Sequence, residues 1–233
     1  YRLIQDKVDQ RQFVLGARGN LGGGWKYTAN GTYSRADILS TDRDTDMNLF
    51  QAALNGYGGP NCNIRYSGPG AGSQPGVGNC LYFSPFTADV SRMDPSLIFN
   101  LQSNVTTATK IEYMIGEAVV NGSLAQIAGH SLDLAVGAQY RKEKQSSDYS
   151  DLLLSGFGGF LGPYRNTAFQ REVKSVFAEA NYEIVDGLNL NAAARYEDYG
   201  NFKTTAPKIA VNWRVLPQLS LRASASKAFQ APS

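Results

Sequence analysis

The sequence predicts an all-β protein, a stretch of antiparallel up-and-down transmembrane β-barrel. Three observations carry that expectation. Segments of about ten residues alternate apolar and polar side chains, which gives a strand one greasy and one wet face. The connections between them are either tiny or long, the arrangement of outer-membrane barrels with short periplasmic turns and long external loops. The charges in the alternating segments fall on the face opposite the Leu, Val and Ala rows.

The clearest segment is 219–226, where Leu219, Leu221, Ala223 and Ala225 alternate with Ser220, Arg222, Ser224 and Ser226. Segment 188–197 repeats the pattern, with Ala193 neutral. Between them, Pro207, Ile209, Val211, Trp213 and Val215 oppose Lys208, Asn212 and Arg214. Upstream, Val176, Ala178, Ala180, Tyr182 and Ile184 oppose Ser175, Glu179, Asn181 and Glu183, with Phe177 out of place on the polar side. Asp186-Gly187 is a hairpin signal.

Earlier in the chain, 12–20 and 25–34 alternate around the glycine turn 20–24. A long strand is expected over 109–127, with a change of parity near Gly116 that predicts a bulge. It turns at Ala128-Gly129-His130 into 132–141, where Leu132, Leu134, Val136, Ala138 and Tyr140 oppose Asp133, Gln139 and Arg141. The pattern amounts to about eight strands. Periodicity fails over 35–107 and 146–168, which read as long external loops rich in Gly, Pro, Asn and Ser. Residues 46–56 predict a short helix, with Asp at its front and Gly behind.

Bulk composition fits and excludes. Net charge is only +2 over 233 residues, which gives no electrostatic case for nucleic acid. No apolar run is long enough for a transmembrane helix. The mean hydropathy of −0.30 does not argue against a barrel, whose apolar face is diluted by alternation. A charge facing mid-bilayer lipid costs about 2–4 kcal/mol. Glu179, Arg195, Glu197, Lys208, Arg214 and Arg222 are therefore expected to face a wet lumen. Trp25, Tyr33, Tyr140, Tyr196 and Trp213 stand near strand ends, where an interfacial girdle lies. Strand parity puts both chain ends on the loop side, so the chain is expected to be an internal piece of a longer one.

Residues 171–179 (REVKSVFAE), 194–199 (ARYEDY), 207–213 (PKIAVNW) and 221–233 (LRASASKAFQAPS) resemble the barrel of TonB-dependent outer-membrane receptors. Residues 79–86 (NCLYFSPF) are similar to a cysteine-bearing external loop of the same receptors. Gln230 stands where the family usually has Arg. The resemblance spans essentially the whole chain. It implies a barrel of about 22 strands with an N-terminal plug and a TonB box. Such a receptor sits in the Gram-negative outer membrane and imports ferric siderophores, cobalamin or carbohydrates, driven through TonB. The implied partners are outer-membrane lipid, the plug domain of the parent chain, TonB and the imported small ligand. The plug and the TonB box are not in this sequence.

Cys62 and Cys80 are expected to form a disulfide, with two free thiols as the alternative. Closing a loop of that size is worth about 3 kcal/mol in the chain-entropy account. Asp42, Asp44 and Asp46 have the spacing that opens a calcium loop. Met47 and Ala53 occupy the positions where an EF-hand needs Gly and Glu, so a solvated acidic loop is the simpler reading. No metal site and no cofactor is expected. One histidine in a turn supplies no triad, and close carboxylates such as Glu179 and Glu197 are explained more simply by pairing with Arg195 or Lys208. No enzyme is expected.

The external loops offer Tyr57, Tyr66, Tyr82, Tyr149, Phe157, Phe160 and Tyr164 as candidate ligand contacts, against the alternative that they pack the loops together. Two other readings remain open from the sequence: a soluble carbohydrate-binding β-sandwich and a complete small eight-stranded barrel.

Overall fold

The computed structural model describes residues 4–62, 74–87 and 93–229. Its strands form a single antiparallel sheet in sequence order, β1-β2-β3-β4-β5-β6-β7-β8. They are β1 (Gln5–Gly22), β2 (Trp25–Thr45), β3 (Gln102–Ile127), β4 (His130–Tyr149), β5 (Thr167–Val185), β6 (Leu188–Asp198), β7 (Lys203–Leu216) and β8 (Leu219–Ser226). Among the described residues, three short helices lie in the connections: α1 (Met47–Leu54), α2 (Pro95–Asn100) and α3 (Asp151–Ser155). One sheet rather than two packed sheets rules out the sandwich. The linear order, with β1 and β8 at opposite edges, leaves the sheet open rather than closed as a small barrel.

The strands are longer than alternation predicts. β2 runs on to Thr45, β3 begins at Gln102, and β4 continues to Tyr149. Both predicted loops are therefore shorter than the ranges 35–107 and 146–168. In these extensions Arg35, Asp37, Asp42, Lys142 and Glu143 occupy both parities. With no lipid on either side, nothing demands an apolar row, and the signal for a strand vanishes although the backbone still pairs.

By contacts, the chain divides into two compact units. One comprises Tyr1–Asp9, Asp37–Lys110 and Ser146–Ala168; the other comprises Gln10–Ala36, Ile111–Gln145 and Phe169–Ser233.

The second unit is the sheet wall. Register puts Val176 beside Tyr196, Ala178 beside Ala194, Ala180 beside Ala192 and Tyr182 beside Leu190. The same row continues as Leu188–Trp213, Leu190–Val211 and Ala192–Ile209, then Ile209–Ala225, Val211–Ala223 and Trp213–Leu221. This face is apolar and open: Val176, Ile209, Trp213 and Leu221 are all exposed. From Leu188 to Tyr196 it covers about 27 Å of strand at about 3.4 Å per residue, a span suited to a hydrocarbon layer crossed at a tilt.

The first unit has a small core of its own. Ala53 of α1 packs with Leu97 of α2 and with Leu101, and Phe50, Leu81 and Phe83 flank them. α1 begins where Asp46 accepts hydrogen bonds from the amides of Asn48 and Leu49, the usual reward for Asp at an N-cap. Gly56 follows at positive φ. Asp94 caps α2 through the amide of Ser96, with Pro95 at the first helical position.

Candidate functional site

The sheet's second face carries the polar residues. Because side chains alternate, the register that aligns the apolar row also aligns its opposite. Glu179 lies beside Ala193, which lies beside Lys208, which lies beside Ser226. Arg195 is flanked by Phe177 and Ala206, and Glu197 by Ser175 and Thr204. Asn212 pairs Arg222, and Arg214 pairs Ser220. Glu179, Arg195, Glu197, Lys208, Arg214 and Arg222 thus share one face.

Some of these residues meet and some do not. The Arg195 guanidinium donates from Nε to Glu197 Oε1 at 2.9 Å and from Nη2 to Gln139 Oε1 at 2.7 Å and Ser175 Oγ at 3.0 Å. Gln139 in turn donates to Glu117 Oε2 at 2.7 Å, and the Tyr199 hydroxyl donates to Glu197 Oε2 at 2.9 Å. Glu179 does not join them. It accepts from Asn191 Nδ2 at 2.6 Å, and the same amide reaches Asn181 Oδ1 at 2.7 Å.

Phe177, the residue out of pattern, belongs to the polar face for a packing reason. Its ring lies against Gly137, where a Cβ would collide with it. The Arg195 guanidinium stands 5.3 Å from the ring centroid, within cation–π range.

A second cluster lies beside the first and was not legible in the sequence. Arg171 donates from Nε and Nη2 to Glu143 Oε2 at 3.0 and 2.6 Å. Arg141 Nε lies 2.7 Å from Glu143 Oε1, yet off the hydrogen-bond direction, so that atom is buried with an ion pair but no formed hydrogen bond. Arg171 also stands within cation–π range of Phe169 and Tyr199. The Tyr199 hydroxyl holds on to its proton above the ordinary phenol range, through burial first and the neighbouring Glu197 carboxylate second.

In the first unit the disulfide joins Cys62 to Cys80 across a sequence separation of 18. Tyr82 stacks against Gly56 and Gly76, both at positive φ, where a side chain would strike the ring. Tyr149 and Tyr164 stack at 4.8 Å between ring centroids, and the Tyr149 amide donates to Asn166 Oδ1. These aromatics pack the loops. Phe160, 81% exposed, and Phe86, 95% exposed, are presented to solvent instead. Phe157 is half exposed, and Tyr57 donates its amide to Ala52. Tyr66 lies outside the described residues. Phe99 was missed by sequence reasoning: Arg43 stands 3.9 Å over its ring, a pairing between distant segments that no local pattern announces.

The acidic triplet serves the backbone. Asp44, 2% exposed, accepts from the amides of Thr45, Phe160 and Leu161. Asp46 caps α1 and its backbone bridges Gly158. Asp42 accepts from the amide of Arg43. Among the described residues no group of His, Cys, Asp and Glu is arranged to hold a metal ion.

Comparison with known proteins decides the family. Residues 1–233 match the family described as TonB dependent receptor-like, β-barrel. The chain belongs to that family. Its members are non-enzymatic transporters of the Gram-negative outer membrane, and in a TonB-dependent receptor barrel the apolar row of such a sheet is the side suited to lipid. Among solved structures it is similar to the siderophore receptor PirA from Pseudomonas aeruginosa, at 14% identity and a TM-score of 0.44. That match covers 97% of this chain and 34% of PirA, so the chain spans about a third of the length of that receptor. No curated protein matches the chain.

Proposed function

We propose that this chain forms part of a receptor for TonB-dependent active uptake of a scarce nutrient, in the class of ferric siderophores, cobalamin or carbohydrates. The observation that carries the reading is the family match over the whole chain, in a sheet where Glu179, Arg195, Glu197, Lys208, Arg214 and Arg222 share one face. Capture falls to the external segments within 35–107 and 146–168, where Phe86, Phe157 and Phe160 are offered to a ligand. Tyr57, Tyr82, Tyr149 and Tyr164 act chiefly by holding those segments in shape. Glu179, Arg195, Glu197, Lys208, Arg214 and Arg222 line the route, which opens when TonB pulls on the plug of the parent chain.

The test is uptake of labelled ferric siderophore, cobalamin and oligosaccharide by cells with and without the parent gene, each in the presence and absence of TonB. Loss of one uptake on either deletion supports the proposal and names the ligand class. Unchanged uptake of all three overturns it.

A further inference from the structure

One cavity of the sheet-wall unit is bordered by the edge of a strand rather than by a face. Phe169, Gln170, Arg171 and Glu172 line one side of a notch of about 800 Å³, and the turn 199–202 lies on the other. A cavity on the face of a strand touches every second residue, because side chains alternate. Four consecutive residues in its wall mean that this notch opens on the backbone edge of β5. The register gives the reason. The ladder between β5 and β6 ends at Lys174 beside Asp198, while β5 begins earlier, at Thr167. Beyond that last pair, in the direction away from the turn 186–187, residues 169–173 have β4 as a neighbour on one side and no strand on the other among the described residues.

The turn does not close the gap, because it satisfies its own backbone. The Tyr199 amide donates to the Phe202 carbonyl at 3.0 Å, and the Gly200 amide donates to Asp198 Oδ1 at 2.8 Å. The Tyr199 and Phe202 rings stack at 4.4 Å, and Phe229 tilts against Phe202 at 5.4 Å, so the turn stands as an aromatic post. A Cβ on Gly200 would meet no heavy atom within 4 Å, which leaves the space over the turn open. Five residues of strand edge span about 17 Å, and alternate residues along them direct an N–H and a C=O outward. Such an edge is a template for an added strand, and a notch of this volume suits a short ligand rather than a globular one. Charge at the foot of the notch selects the ligand's end. Glu172 and Asp198 already hold Lys142 at 2.7 Å and Lys203 at 3.5 Å, whereas Lys174 acts on both only from a distance. Three lysines to two carboxylates favour a further carboxylate at that point.

We propose that the open edge of β5 over residues 169–173 binds a short peptide as an added strand, with the peptide's C-terminal carboxylate at Lys174. With that end at the foot, the peptide runs parallel to β5, a pairing that edge strands accept. Its backbone supplies the affinity, and its alternating side chains supply the selection. Those on one side meet Phe169 and the stack of Tyr199 and Phe202, which calls for an aromatic or long apolar residue at every second position. Those on the other side meet Gln170 and the charges at Glu172, which calls for polar residues between. The site does not rest on which nutrient the receptor imports.

The experiment uses the full-length receptor in detergent and the peptide Thr-Phe-Thr-Phe-Thr, labelled with fluorescein at its N-terminus and followed by fluorescence anisotropy. Two forms of the peptide carry N-methyl groups, one on the amides of one edge and the other on the amides of the opposite edge. One form should bind about tenfold more weakly than the unmodified peptide and the other nearly as well, because only one edge of an added strand meets β5. The free acid should bind about threefold more tightly than the C-terminal amide, the effect of one exposed ion pair, and Lys174→Gln should erase that difference. Asn201→Trp should fill the notch from the turn and abolish binding, while a heat-shifted gel band shows that the barrel is folded. Equal binding of the two methylated forms overturns the proposal. So does an advantage of the free acid that survives in Lys174→Gln, and so does full binding in Asn201→Trp or no saturable binding of the unmodified peptide.

Discussion

Asp44, near the end of β2, shows how one carboxylate can hold a distant segment of backbone. Its two oxygens accept from the consecutive amides of Phe160 and Leu161, more than a hundred residues along the chain, and close the segment 157–162 onto the end of β2. Asp44→Ala leaves those amides without an acceptor at a buried site, at a cost of about 1–3 kcal/mol. Limited proteolysis should then cut within 157–162 faster than in the parent receptor, whereas chelators should leave the parent's cleavage rate unchanged. Arg195 is the counterpart on the wall. Arg195→Met strips Glu197 of its ion pair and leaves Gln139 and Ser175 short of a donor, so the free energy of unfolding by urea in lipid vesicles should fall by about 1–3 kcal/mol. Arg195→Lys should recover only part of this, because its single nitrogen cannot stand where both Nε and Nη2 stand. Alternation placed Arg195 and Glu197 on one polar face from sequence alone. It could not supply Gln139, which is 56 positions away, since local periodicity encodes a face and not a neighbour.

At the scale of the element, β7 offers a direct test of which face meets lipid. Ile209 and Ala210 are adjacent in sequence but belong to opposite rows, with Ala192 and Ala225 flanking Ile209 and Asn191 and Ser224 flanking Ala210. Ile209→Arg should cost about 2–4 kcal/mol in folding from urea into vesicles, and Ala210→Arg markedly less. Equal costs would contradict the assigned facing. Strands of this kind are legible because lipid demands an apolar row on every second residue. Where β2, β3 and β4 run past the apolar band, that demand ends and their sequence reads as loop. The disulfide lies in the connection between α1 and α2. Cys62→Ser with Cys80→Ser reopens a loop of separation 18 and should cost the local fold about 3 kcal/mol. The measurement is proteolysis at 62–80, where the variant should be nicked while the unsubstituted receptor resists.

Two compact units in one chain divide the labour at the scale of the whole molecule. The sheet-wall unit is stabilised by backbone pairing, an apolar face suited to lipid, and an opposite face of ion pairs. The loop unit holds its own core around Ala53, Leu97 and Leu101, its own caps and its own disulfide. It therefore has the means to keep a shape that the wall does not dictate. Insertion into the membrane depends on the alternating strands, which the short turns connect; on the proposed function, recognition falls to side chains of the loop unit such as Phe86 and Phe160. Replacing 47–101 in the full-length receptor by a short Asn-Gly-containing turn tests the division. That change removes α1, α2 and the cysteine pair while leaving β2 and β3 to be joined as a hairpin, and long surface loops are shortened at small entropic cost. The variant should still appear in the outer membrane as a heat-modifiable band, and its uptake of the ligand identified for the parent should fall to the level of the gene deletion. Failure to reach the membrane would show that the loop unit is needed for assembly, and retained uptake would move recognition away from these residues.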